Sequence, residues 1–100
     1  MKTITEFKDS LLSDQPPADL SEQLKSLWYD GKDDWHRAHT EVDQSVGRAS
    51  AWVHAYLHRK EGDIWNADYW YTRAGQRRPN VSLTEEWENL VVHFLKEESA

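Results

Sequence analysis

An all-α fold, a compact bundle of about six helices, is what this sequence predicts, and three observations carry the expectation. Apolar residues recur at three- and four-residue spacing along most of the chain, as in helices that bury one face. No stretch alternates apolar and polar residues with period two over a strand's length. Pro16-Pro17, Gly31, Gly62, Gly75 and Pro79 fall between the periodic runs, where chain breaks belong. The chain of 100 residues has the length of one domain, and a chain of that size buries roughly 60–70% of the surface its unfolded form exposes. One core is therefore expected, with an N-terminal helix in 1–15, two helical hairpins in 19–75 and a C-terminal helix in 82–98.

Ile4, Phe7, Leu11 and Leu12 mark a short amphipathic helix that stops before Pro16-Pro17, because proline lacks an amide donor and disfavours helical geometry in its predecessor. Asp19 is placed to cap a second helix that buries Leu20, Leu24, Leu27 and Trp28, and Gly31 is expected to end it in a left-handed C-cap. The third helix, 33–44, turns Trp35, Ala38, His39 and Val42 inward and leaves His36 beside Asp43 towards solvent. The fourth, 48–60, is apolar on two sides: Ala49, Trp52, Val53, Tyr56 and Leu57 form one broad face, Ala51 and Ala55 another. A helix of that kind is central, and His54 and His58 extend its strip of small side chains.

Gly62 ends the fourth helix and Asp63 caps the fifth, 64–74, which turns Ile64, Ala67, Trp70, Tyr71 and Ala74 inward and Trp65 and Tyr69 outward. After the polar connection QRRPNVS, Ser82 and Glu85 form a capping box. The last helix carries Leu83, Trp87, Leu90, Val91 and Phe94 on one stripe, has His93 at its edge, and frays into KEESA.

Six Trp, four Tyr and two Phe give aromatic weight to a polar chain, and rings of that size fill a core that is short of aliphatic side chains. The chain has no Cys, so disulfides, thiolate ligands and thiol nucleophiles are excluded, and a metal would need imidazole and carboxylate. MKTITEFKDSLL lacks the apolar run of a signal peptide, and no run of about 18 apolar residues offers a membrane span. A cytoplasmic protein without a membrane partner is expected. The net charge of −6 argues against bulk nucleic-acid binding. It is unevenly spread: residues 1–46 carry five basic and ten acidic side chains, 47–81 six and three, and 82–100 one and five. Either these segments pack so that their charges complement, or the basic middle serves an anion.

Residues 28–41 align with 57–70 at an offset of 29, placing Trp28 on Leu57, Trp35 on Ile64 and Ala38 on Ala67. Each copy reads helix, acidic or glycine-bearing turn, then helix with a small alanine that lets two helices touch. This pattern resembles tetratricopeptide-type hairpins, whose own period is 34 residues. The segment WVHAYLHRKEGDIWNADYWYTRAG, 52–75, resembles one found in a family of functionally uncharacterised microbial proteins. That resemblance implies no activity.

Residues four apart share a helix face, so His54 and His58 can point at one cation, and His39 with Glu61 can complete a tetrahedral set. Structural imidazoles bonded to backbone or carboxylate, a metal set, and acid–base catalysis all fit the spacing. A zinc-protease reading fails because Ala55 occupies the glutamate position of HExxH, and the Glu-x-x-His pairs of di-iron bundles are missing. Glu61 and Asp63 read most simply as turn and cap residues, and less simply as a glycosidic acid pair. No phosphate loop, nucleophile elbow or nucleotide fingerprint is present.

Trp65, Tyr69, Trp70 and Tyr71 cannot all hide against one neighbour, so they imply helices on both sides or an exposed ring pair for a partner. Arg59, Lys60, Arg73, Arg77 and Arg78 can hold an anion or form a solvated rim. The first expectation for function is a protein-interaction or self-association module without a cofactor. The alternatives are a small ligand binder or metal-dependent enzyme around His39, His54, His58 and Glu61, with Asn66 and Tyr69 in support, and a single-stranded nucleic-acid binder.

Overall fold

The computed structural model describes residues 3–99, and every regular element among them is helical. Six helices follow one another: α1 (Ile4–Ser10), α2 (Glu22–Gly31), α3 (Trp35–Asp43), α4 (Arg48–Glu61), α5 (Ile64–Ala74) and α6 (Leu83–Ser99). Among the described residues, no helix is long and apolar enough to cross a membrane.

α2 with α3 and α4 with α5 form two tight hairpins, and their turns repeat at the offset read from the sequence. Asp33 and Gly62 occupy equivalent left-handed positions, at φ 62° and 90°. Each is followed by an aspartate whose backbone amide donates to a carbonyl five residues back, Asp34 to Tyr29 at 2.9 Å and Asp63 to His58 at 3.0 Å. The same aspartates cap the next helix by accepting the amides of Arg37 (3.1 Å) and Asn66 (3.3 Å). Ala38 and Ala67, the equivalent small residues, have no exposed surface. Both turns thus set the crossing of their helices through one cap and one alanine.

α4 is the interior element and packs on α2, α3, α5 and α6. Its Val53, Tyr56 and Leu57 join Phe7, Leu24, Leu27 and Trp28 and the α6 residues Leu90, Val91, Phe94 and Leu95 in the main core. Ala55, Ala67 and Tyr71 form a smaller cluster against α5. Two buried carboxylates lock this arrangement. Asp30 accepts from the Tyr56 hydroxyl at 2.6 Å and from Lys60 Nζ at 2.8 Å. Glu86 accepts from Arg59 Nη1 at 2.7 Å and from the Tyr71 hydroxyl. Burial first, and then these carboxylates, push both phenols above their ordinary range, so Tyr56 and Tyr71 remain protonated donors.

Several sequence expectations need correction. Ser21, not Asp19, caps α2 by accepting the Leu24 amide, and Asp19 instead occupies a left-handed turn at φ 66°. α2 runs through Gly31 to a C-cap at Lys32 with φ −90°. Gly31 is needed for closeness rather than handedness: a Cβ there would lie 3.1 Å from Leu11 and 3.2 Å from Trp87. α1 ends at Ser10 and leaves Leu12 89% exposed. Ile64, expected inside, is 38% exposed at the first residue of α5. α6 continues to Ser99 instead of fraying at KEESA, and it buries Leu95 and Glu86 in addition to its expected stripe. Asp43, exposed as expected, also lies 3.8 Å from His39 Nε2, since i,i+4 residues share a face.

Candidate functional site

Three imidazoles meet where the hairpins touch. His39 comes from the second turn of α3, whose start is fixed by the Asp34 cap; His54 and His58 stand one turn apart on α4. His39 Nε2 and His54 Nε2 lie 3.0 Å apart and share a hydrogen bond. The ring centres are 4.7 Å apart for His39 and His54, 4.8 Å for His54 and His58, and 5.4 Å for His39 and His58. His54 is 4% exposed and His58 7%, while His39 is half-buried at the rim.

Neighbouring side chains fix the rings. Trp35 stacks on His39 at 5.0 Å and is itself anchored by its indole Nε1, which donates to the Leu57 carbonyl at 2.8 Å. Trp70 from α5 stacks on the other side of the cluster, 4.0 Å from His54. Glu61 Oε1 lies 2.6 Å from His58 Nδ1, so Nδ1 donates and the carboxylate accepts. Carboxylate–imidazole pairs of this kind orient metal ligands and raise their basicity. Asp43 Oδ1 is 3.8 Å from His39 Nε2.

Electrostatics keep the centre of the cluster neutral. Burial lowers the pKa of His54 to about 4, and the charges that His39 and His58 would carry push the same way, against Asp43. A neutral imidazole is the form that ligates a metal. His39, His54 and His58 can each offer one ring nitrogen such that all three lie within 4.8 Å of one another. For an ion with bonds of about 2.0–2.1 Å in tetrahedral geometry, ligand atoms lie roughly 3.4 Å apart. The 3.0 Å His39–His54 contact is thus already close to one edge of such a site. His58, Glu61 and Asp63 form a second group of donors. There Glu61 is engaged by His58 and Asp63 by the amide of Asn66, so hydrogen bonding and capping account for it.

The structure therefore places His39, His54, His58 and Glu61 together and separates them from the other candidates. Asn66 is tied to the Asp63 carboxylate at 3.4 Å. Trp65 projects from the outer face of α5, 81% exposed, with Tyr69 beside Arg73, which donates to its hydroxyl at 2.9 Å. Arg59 is committed to Glu86 and the Val81 carbonyl, and Arg78 to Asp68 at 2.9 Å. Arg77 is exposed and away from the imidazoles, beside Pro79 and Asn89. The basic middle is thus partly spent on complementing the acidic flanks, through Arg59–Glu86 and Lys60–Asp30.

Sequence reasoning missed the walls of the site. Trp35 carried a usable signal, since it precedes His39 by four residues. The spacing turns Trp70 inward, but nothing in it names His54 as the ring that Trp70 covers. Compared with protein-family models, with curated proteins and with solved structures, the chain shows no match.

Proposed function

We propose that this protein binds a divalent transition-metal ion through His39, His54 and His58, with Glu61 orienting His58. The observation that carries the reading is the meeting of three imidazoles from two helices, its central ring held neutral. Imidazole ligands suit zinc, copper and nickel, and the absence of thiolates leaves an all-nitrogen set. Three protein ligands leave one position of a tetrahedral ion for water or a bound molecule, which distinguishes a working site from a closed structural one. Ligation through both Nε2 atoms would require the proton between His39 and His54 to move to the Nδ1 of the ring that carries it, and would tie α3 to α4.

Cobalt titration tests this reading. One equivalent of Co(II) is expected to give the visible bands of a tetrahedral nitrogen site and to perturb tryptophan emission, because Trp35 and Trp70 stack on ligands. His54→Gln should abolish both while leaving the helical circular dichroism. Failure of the wild-type protein to bind cobalt or zinc below millimolar concentration would remove the proposal.

A second reading is favoured by Trp65, with Ile64 and Tyr69 beside it on the outer face of α5: association with a protein partner or a second copy of the chain. Light scattering on the wild type and on Trp65→Ser separates self-association from its absence.

A further inference from the structure

A cavity of about 580 Å³ lies where α1, the end of α2, the second half of α4 and the first turns of α6 converge, and none of the imidazoles lines it. That volume falls within the range of small-molecule sites. Leu11, Leu83 and Trp87 supply an apolar wall, and the two leucines are only half-buried, so an apolar ligand that covers them removes further surface from water. Gly31 lines the same cavity without a side chain; a Cβ there would crowd both Leu11 and Trp87.

Four charged side chains line the cavity: Lys8, Asp30, Asp33 and Lys60. Three of them are compensated. Lys60 Nζ lies 2.8 Å from Asp30 Oδ1, whose carboxylate also accepts from the Tyr56 hydroxyl, and Lys8 pairs with Glu88. Asp33 is left over. Its backbone is fixed at φ 62° with the amide donating to the Asp30 carbonyl at 2.9 Å, but among the described residues its exposed carboxylate has no ion pair or hydrogen bond. Lys32, the neighbour in the chain, does not line the cavity, and its ammonium donates to the carbonyls of Leu11 and Ser13 at 2.7 and 3.0 Å. The cavity thus joins an apolar wall to a single uncompensated negative charge. An organic acid would meet Asp33 with no spare cation to offset it, whereas an ammonium group supplies the missing partner.

We infer that this cavity binds a hydrophobic primary amine, its hydrocarbon body against Leu11, Leu83 and Trp87 and its ammonium paired with Asp33. The site stands apart from the metal-binding reading, since His39, His54, His58 and Glu61 take no part in it. The apolar wall supplies affinity for any hydrocarbon body of suitable size, and Asp33 supplies the choice of charge.

Hexylamine, hexanol and hexanoate share one body and differ in charge, so their titration into the isotope-labelled, full-length protein tests the assignment. The indole N–H of Trp87, held on the Leu27 carbonyl at 3.0 Å, is the resonance to follow. Hexylamine is expected to shift it saturably and to bind about three- to fivefold more tightly than hexanol, the worth of a good exposed ion pair, with hexanoate weakest. Asp33→Asn, whose side chain also tolerates a left-handed backbone, should leave hexanol binding unchanged and reduce hexylamine to the same affinity. Asp33→Gly, which meets no backbone strain at this φ, should do the same. Hexylamine that fails to move the Trp87 resonance, that binds no more tightly than hexanol, or that keeps its advantage in both variants overturns the inference.

Discussion

Two polar systems are buried against α4, and they are built on opposite terms. Asp30 and Glu86 each meet a cation and a phenol, so each carboxylate is compensated within the protein. His39, His54 and His58 meet mainly one another, and for His54 the two neighbouring imidazoles add to the burial that disfavours its charge. The carboxylates are complete as they stand and tie helices together. The imidazoles are partnered instead by another ring, His39 with His54, and by a carboxylate at the rim, His58 with Glu61. The comparison teaches that burial of polar groups is no sign of function in itself. What differs is the partner: a matched opposite charge for each carboxylate, another imidazole for His54.

The largest effect is expected on the compensated side. Glu86→Ala leaves the Arg59 guanidinium, only 16% exposed, without its partner, and breaking a buried pair in this way costs about 3–5 kcal/mol. Urea unfolding should show that loss, while zinc stoichiometry in the folded protein stays at one. A variant that lost zinc but kept its stability would reverse the roles assigned to the two systems.

Next in size is the acid response of the imidazoles. His54 titrates near 4 in the folded chain against 6.5 when unfolded, so between these values the unfolded state binds the extra proton. Stability from this group is complete above the unfolded value and is lost as the pH falls from about 6.5 to about 4, by up to about 3 kcal/mol. His54→Gln should flatten that part of the pH–stability curve. Saturating zinc should make the wild-type curve steeper, since protons compete with the ion for all three rings. A curve that is level from pH 7 to 4 in the wild type contradicts the buried, neutral assignment.

A smaller effect separates orienting from ligating. Glu61→Gln keeps a hydrogen-bonding side chain beside His58 but removes the carboxylate, and outer partners of this kind are worth about 10–100-fold in metal affinity. Zinc affinity should fall within that range with stoichiometry preserved, and metal-free stability should change by under about 1 kcal/mol. Complete loss of the ion would make Glu61 a ligand.

Much of this was legible in the chain because it is written in local spacing. The helices follow from three- and four-residue periodicity, and the repeated turn from Asp33-Asp34 and Gly62-Asp63, residues whose chemistry suits left-handed and capping positions. His54 with His58, and His58 with Glu61, are i,i+4 and i,i+3 pairs on one helix, so their nearness was readable; His39 joined them because its stripe faces inward. What stayed hidden depends on contacts between distant segments. Nothing local distinguishes Gly31 as a helix-contact glycine from a C-cap glycine until Leu11 and Trp87 are seen against it. Glu86 reads as a solvated first-turn acid until Arg59 and Tyr71 arrive from 27 and 15 residues away.

The central claim is that three imidazoles of one chain hold one ion. Native mass spectrometry of the zinc-exposed, desalted protein measures this directly, beside a His39→Gln/His54→Gln/His58→Gln variant shown to be helical. The account predicts one zinc retained by the wild type and none by the variant. Wild-type protein that carries no zinc, or a triple variant that carries as much, would contradict it.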